Sequence, residues 1–445
     1  MSSSLNVLER ARAAKTAALR MANVSSGMKN KAILAISEEI DRQKVQIEEV
    51  NSRDVSDASE NNLPLPLIKR LRLDDSKIGD LRKGLELLAQ LEDPVGKTLY
   101  SSELDHGLEL YKVTCPIGVI GAIFESRPDV LVQIATLCLK SGNAVILKGG
   151  TETARTNLYL TELIRKIIGR FEIPEDSVQL VETRDDVSEL LKLDEYVDLL
   201  VPRGSSSLVK YVKSNSRIPV LGHAEGICHE YVDAEADLDM AVDICYDAKV
   251  QYPAVCNAMN ALLVHKDVAP AFLPRMNERY EEAHVELRGD EGTRKILPRA
   301  KEAGERDWST EYLDLILNIR VVDSLEQAIE HINHYSSHHT DGIITENQEN
   351  ARKFLSEVDS SVVIHNASTR FSDGYRFGFG AEVGISTGKV HARGPVGLDG
   401  LVTYKYVVAG TGQVVSSYVG ERAKPFTHRV LSKSWSARHS SSAIA

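Results

Sequence analysis

Cys256 lies in Val250-Gln251-Tyr252-Pro253-Ala254-Val255-Cys256-Asn257-Ala258, a few residues behind a proline that can open a helix. A thiol in the first turn of a helix sits at the positive end of the backbone dipole, which lowers its pKa and raises its thiolate fraction. On that reading Cys256 is a nucleophile; the competing reading is a buried cysteine acting as a small hydrophobe. Two other segments place small residues or a cation just beyond an apolar run. One is Asn143-Ala144-Val145-Ile146-Leu147-Lys148-Gly149-Gly150; the other is Val201-Pro202-Arg203-Gly204-Ser205-Ser206, which opens a helix whose amides can face a phosphate. Taken alone, each also reads as an ordinary strand-to-helix turn. His331, His334, His338 and His339 offer imidazoles at metal-ligand spacing, but a metal site also needs well-spaced ligands and acids that orient the rings, and no metal is expected.

Such groups need a rigid frame, and the chain's periodicity predicts one. Ile33, Ile36, Ile40 and Ile47 fall on one helical face, as do Ile78, Leu81, Leu85 and Leu88, so the first hundred residues read as helical. Leu108 to Val113 alternates with charge, as a half-exposed hairpin strand does. Short apolar runs then alternate with amphipathic segments: Val119 to Phe124, Ala144 to Leu147, Val178 to Val181, Val197 to Val201, and Pro219 to Leu221. Strands buried on both faces and separated by helices predict an α/β fold with a doubly wound parallel sheet. A second α/β cycle runs from Ile227 through Val362 to Ile364, so a domain change is expected close to residue 228. Gly378-Phe379-Gly380-Ala381-Glu382-Val383-Gly384 has the wrong spacing for a dinucleotide fingerprint and reads as a loop.

Composition narrows the function classes. The 445 residues carry 53 Lys and Arg against 64 Asp and Glu, a formal charge of −11. That balance argues against a nucleic-acid surface, which needs clustered positive charge. Five cysteines without a CxxC pair argue against a disulfide framework and for a reducing, cytoplasmic compartment. Met1 to Arg20 lacks the apolar run of a signal peptide, and no stretch approaches the ~18 apolar residues of a membrane span.

Pro116 to Pro128, the lysine-ended strand at Lys148, the Pro202-Arg203-Gly204-Ser205-Ser206-Ser207-Leu208 turn and Cys256 follow one another in an order that resembles the aldehyde dehydrogenase superfamily. More narrowly, Val322 through Ile343, Phe377 through Thr387 and Ala392 through Pro395 resemble its gamma-glutamyl phosphate reductases, and the similarity runs from about residue 5 to Thr427. The resemblance implies reduction of L-glutamyl 5-phosphate by NADPH to the 5-semialdehyde and phosphate, through a thioester on Cys256, as the second step from glutamate to proline. It places Arg127 where the superfamily has an oxyanion-hole asparagine and His223 where hydrolytic members have a glutamate base. Arg127, His223, Asn257, His339 and Thr340 are thereby expected around substrate and phosphate; Lys148, Gly149, Gly204, Ser205 and Glu311 are expected around NADP.

The domains implied are an NADP-binding domain (1–99 and 114–228), a catalytic domain (229–364), a segment returning to the cofactor domain (365–394), an oligomerisation element (100–113 and 395–420) and a flexible tail (421–445). The partners implied are the small-molecule substrate, glutamate 5-kinase as its supplier, and further copies of the chain; neither nucleic acid nor membrane is expected. Two other readings stay open: a non-phosphorylating aldehyde dehydrogenase, and a silent or metal-binding protein on the same fold.

Overall fold

Apolar residues at helical spacing build the helices between Val7 and Gln90 of the computed structural model, which describes residues 6–435. Ile33, Ile36 and Ile40 are buried on the helix Ser26–Arg42, and Ile47 on a separate helix, Lys44–Glu60, because the chain leaves helical geometry at Gln43. Ile78, Leu81, Leu85 and Leu88 form the buried face of Asp75–Gln90. The chain divides into two compact units, Met1–Pro202 with Asn215–Val220 and Gly397–Ala445, and Arg203–Ser214 with Leu221–Val396.

In the first unit a four-stranded sheet runs in the order Val178–Leu180, Ala144–Lys148, Val119–Phe124, Leu199–Arg203. Val119 pairs with Ala144 and Val145 with Val178, all in parallel register. The run Pro219 to Leu221 adds only a single bridge, Leu200 to Val220, since Pro219 has no N–H to extend a ladder. A second, antiparallel sheet has the order Val402–Ala409, Leu108–Pro116, Thr98–Asp105, Arg429–Val430. The tail is therefore not loose throughout. Val430 pairs with Ser102, and the Trp435 ring lies 5.3 Å from that of Tyr111 while its amide donates to Thr98 Oγ1 at 2.8 Å. The remainder of the predicted tail, 436–445, lies outside the described residues. Tyr404, Tyr406 and Val408 are exposed on the outer strand of this sheet.

The second unit is built on a seven-stranded sheet in the order Lys301–Glu302, Glu286–Gly289, Ile316–Val322, Met259–His265, Cys228–Val232, Thr340–Ile344, Val362–His365. Every pair is parallel. Alternation along the strands feeds two cores. Val232, Leu262, Val264 and Ile344 pack with Phe272, Met276 and Tyr280 on one face, and Tyr231, Leu263 and Ile343 with Ile329, Ile332 and Phe354 on the other. Both faces are largely apolar, but the strands also bury polar residues, among them His229, Glu230, Asn260, Asn318 and Asp341.

Residues 365–394 stay with this unit instead of returning to the first. Thr369 donates its amide to Glu230 at 3.0 Å, the Asn257 amide holds the Ser372 carbonyl at 2.8 Å, and Ile385 accepts from His223 at 2.9 Å. Gly384–Ser386 then pairs with Gly394–Val396. Residues 378–383 form a loop, as their spacing predicts.

Candidate active site

The helix Leu238–Val250 runs back along the sheet to the start of the next strand, so the loop that follows it opens at the amino end of Met259–His265. Cys256 sits in this loop, in a turn and not in the first turn of a helix. The dipole argument for a low thiol pKa therefore fails here. Burial, with the carboxylates of Glu311 and Glu382 acting in the same direction, pushes the thiol up to about 12, opposed by Arg203 and by the residue's own amide.

His339 arrives by the same topology, in the loop between the helix Leu325–Tyr335 and the strand Thr340–Ile344. The strand Cys228–Val232 lies between those two strands, and His223 is in the segment leading into it. The Cys256 sulfur and the nitrogens of His223 and His339 lie within 4.8 Å of one another. The two rings meet edge to face with centroids 4.8 Å apart. His223 Nδ1 is 2.9 Å from the Ile385 carbonyl, which can only accept, so that nitrogen carries the proton and Nε2 carries the lone pair. His339 Nδ1 is 2.9 Å from Thr340 Oγ1, and its Nε2 is buried without a hydrogen-bond partner among the described residues. Burial lowers the pKa of both rings, that of His339 strongly, and the neighbouring His223 adds to the latter.

Gly226 fixes the sulfur's position. A Cβ at this residue would lie 2.1 Å from the Cys256 carbonyl oxygen and 2.6 Å from its Cβ. The Gly226 carbonyl accepts from Asn260 Nδ2 at 2.8 Å, and its amide donates to Glu311, whose pKa is nevertheless raised by burial. Cys228 Sγ donates to the Cys256 carbonyl at 3.2 Å.

The expected substrate residues separate into distinct roles. His223 and His339 lie beside the thiol, and Thr340 bonds His339 from the next position. Asn257 is turned inward, its amide nitrogen committed to the carbonyl of Ser372. Of the other histidines, His331 is packed 5.3 Å from the Trp308 ring and bonded to Arg320 at 2.8 Å, while His338 reaches the Asp359 carbonyl at 2.6 Å. Sequence reasoning missed Arg370. The residue is only 7% exposed, and its guanidinium donates Nε–H to Gln251 Oε1 at 3.0 Å and has no ion-pair partner among the described residues. It lies within electrostatic reach of Cys256. Nothing in Ser368-Thr369-Arg370-Phe371 sets this arginine apart from the others in the sequence.

On the first unit, Lys148 is the last residue of its strand, as expected. It is buried, its ammonium rests on the Gly149 carbonyl, and it has no ion-pair partner among the described residues. Burial lowers its pKa. A Cβ at Gly149 would fall 2.1 Å from Asn157 Nδ2, so the backbone beyond the lysine is open only because it carries no side chain. Arg127, on the same unit, is half exposed and bonds Asp129 at 2.6 Å. On the second unit, Gly204 and Ser205 precede the helix Ser206–Asn215, and the Ser205 hydroxyl accepts from the Leu208 amide at 3.4 Å. A buried, unpaired lysine beside a side-chain-free backbone fits an anionic ribose end, and the start of that helix fits a phosphate.

The chain matches the aldehyde dehydrogenase family over residues 2–295. It is 55% identical over 431 residues to gamma-glutamyl phosphate reductase of Pelotomaculum thermopropionicum, covering 97% of this chain and 99% of the other. The protein of the same name from Natronomonas pharaonis is 56% identical over 429 residues, covering 95% and 98%. The chain belongs to the gamma-glutamyl phosphate reductase family. The crystal structure of the Thermotoga maritima enzyme superposes with a TM-score of 0.90 at 45% identity, over 92% of this chain and all of that one. Its fold is thus that of the aldehyde dehydrogenases, and it is an oxidoreductase acting on aldehyde groups. Among the described residues no helix is long and apolar enough to cross a membrane.

Gly226→Ala should fold yet lose about a hundredfold in kcat, because a displacement of about an ångström at a reacting atom has that effect. Circular dichroism and steady-state kinetics check this; wild-type turnover in the folded variant would show that the close approach does not set the thiol's position.

Proposed function

We propose that this chain reduces L-glutamyl 5-phosphate to L-glutamate 5-semialdehyde and phosphate with NADPH, by way of a thioester on Cys256. The observation that carries the mechanism is the thiol's company: two neutral imidazoles stand beside Cys256 within 4.8 Å. The lone pair on His223 Nε2 accepts the thiol proton, the sulfur attacks the acyl carbon, and the acyl–phosphate bond breaks with its electrons on the departing phosphate. NADPH, when bound, supplies the hydride that takes the thioester to the thiohemiacetal level. The oxygen of that adduct, an alkoxide after hydride addition, re-forms the carbonyl as the carbon–sulfur bond breaks, and the His223 imidazolium returns to sulfur the proton it took, which restores the thiol. A histidine in place of a carboxylate suits an acyl transfer to phosphate, since water need not be activated. Arg370 is the anion partner we assign on the second unit, and Arg127 remains a candidate on the first. Lys148, with Gly149 beside it, and Gly204, Ser205 and Glu311 are the residues proposed to hold NADPH.

The assay runs the reaction backwards, following NADP reduction by glutamate semialdehyde with and without inorganic phosphate. Strict phosphate dependence is expected in the wild type, with no turnover in Cys256→Ala and almost none in Cys256→Ser. Phosphate-independent oxidation would favour a non-phosphorylating dehydrogenase, activity in Cys256→Ala would end the thioester route, and equal use of NAD would remove the coenzyme preference.

Arg370→Gln should lower kcat/KM roughly 10- to 100-fold, chiefly through KM for phosphate and semialdehyde, as expected for a lost charge-assisted contact. Unchanged KM values would restrict Arg370 to packing.

We also propose that copies associate through the antiparallel sheet. Its outer strand, Val402–Ala409, displays Tyr404, Tyr406 and Val408 beside backbone groups that a neighbouring strand can pair. Light scattering should give a dimer or larger at micromolar concentration; a monomer there contradicts the proposal. Association with the kinase that makes the acyl phosphate is consistent with the lability of that substrate, and co-sedimentation of the two proteins tests it.

A further inference from the structure

We propose that Cys256, His223 and His339 form a binding site for one thiophilic divalent cation of the zinc class. The site shares its sulfur with the reaction, so an occupied site is an arrested enzyme.

Three ligand atoms of the right chemistry, one sulfur and two imidazole nitrogens, already lie within 4.8 Å of one another. Tetrahedral coordination at about 2.0–2.3 Å places such atoms roughly 3.3–3.6 Å apart. Closure therefore needs movements of about an ångström, which side-chain rotations supply. The second observation is independent of the spacing: His339 Nε2 is fully buried and has no hydrogen-bond partner among the described residues. A polar atom so placed lacks the partner that buried groups ordinarily have. Both rings are also held as metal-ligating histidines are held, with the other nitrogen fixed by an outer partner. For His223 that partner is the Ile385 carbonyl at 2.9 Å; for His339 it is Thr340 Oγ1 at 2.9 Å.

Three protein ligands leave one tetrahedral position for water. Cys228 is the nearest alternative thiol, 3.8 Å from His339 Nδ1, but it donates to the Cys256 carbonyl and approaches the nitrogen that Thr340 already engages. Binding forms a metal–sulfur bond and releases the thiol proton to solvent, with no change of oxidation state. The sulfur lone pair that would attack the acyl carbon is then held by the cation. That consequence rests on the assignment of Cys256 as nucleophile, whereas the binding does not.

The full chain, freed of metal by chelator, is titrated with Co2+ as a spectroscopic probe. One equivalent should produce a thiolate-to-cobalt charge-transfer band, and one equivalent of Zn2+ should displace it. Cys256→Ser should abolish the band, Cys228→Ser should retain it, and His339→Gln and His223→Gln should each weaken Co2+ binding by more than about tenfold. Absence of a band, its survival in Cys256→Ser, or its loss in Cys228→Ser would overturn the site. Circular dichroism confirms that each variant is folded, and with four variants no single failure to fold decides the matter. Turnover of the wild type should fall with one equivalent of Zn2+ and recover with chelator. A cobalt band without zinc inhibition would leave the metal site standing and remove Cys256 as the nucleophile.

Discussion

The backbone at Gly226 passes so close to Cys256 that no side chain fits between them, and the rest of the site is arranged around that contact. Asn260 and Glu311 hold the two polar groups of the Gly226 peptide unit, and Cys228 holds the Cys256 carbonyl. The next residue, Asn257, carries the constraint outward: its amide grips the Ser372 carbonyl and so fixes the turn that bears Arg370. Arg370 in turn meets Gln251, in the loop that carries Cys256. Cys256 and the Arg370 guanidinium are thus tied by two routes, one through the peptide chain and one through a side-chain amide. Positioning a thiol without a helix terminus requires this kind of restraint, because a turn residue has no regular ladder to hold it.

Topology explains why the chemistry collects at the amino ends of the strands. Open α/β sheets usually bind ligands beyond the carboxyl ends, and Lys148 on the first unit stands at such an end. In the second unit Cys256 and His339 both lie on loops that leave a helix and enter a strand, and such loops open at the opposite edge. Because Cys228–Val232 is hydrogen-bonded on one side to Met259–His265 and on the other to Thr340–Ile344, the two loops flank the segment that brings in Gly226 and His223. Residues separated by 33 and 83 positions meet without a local motif.

This separation decides how much could be read from sequence. The α/β class, the parallel sheets and Lys148 at a strand end follow from local pattern, because burial on both faces leaves a largely apolar run. Cys256 was identified by the family resemblance, while the local argument for it misjudged the structure: Pro253 opens a turn, not a helix. The histidine cluster points to the right segment, yet its four members are dispersed by strand and helix geometry, and only His339 reaches the thiol. Arg370 and the assignment of 365–394 to the second unit depend on contacts with Asn257, Glu230 and His223. These are long-range pairings of polar groups, which leave no periodic trace.

Burial acts on the pocket in two opposed ways. It holds the thiol protonated, displaced from 9.0 up to about 12, and it holds both imidazoles neutral, below 6.5. Both shifts oppose transfer of a proton from sulfur to a ring. The resting site is therefore uncharged at sulfur and at both rings, and the thiolate is formed in the course of attack, with no standing reserve. The loss of water that opposes this transfer would equally strengthen the proposed hold of Arg370 on an anion. A divalent cation alters the same balance by another route, since it stabilises the sulfur's negative charge directly and needs the rings neutral, as they already are. One arrangement, a protonated thiol between two unprotonated imidazoles, thus serves either a transient proton or a bound metal, and never both at once.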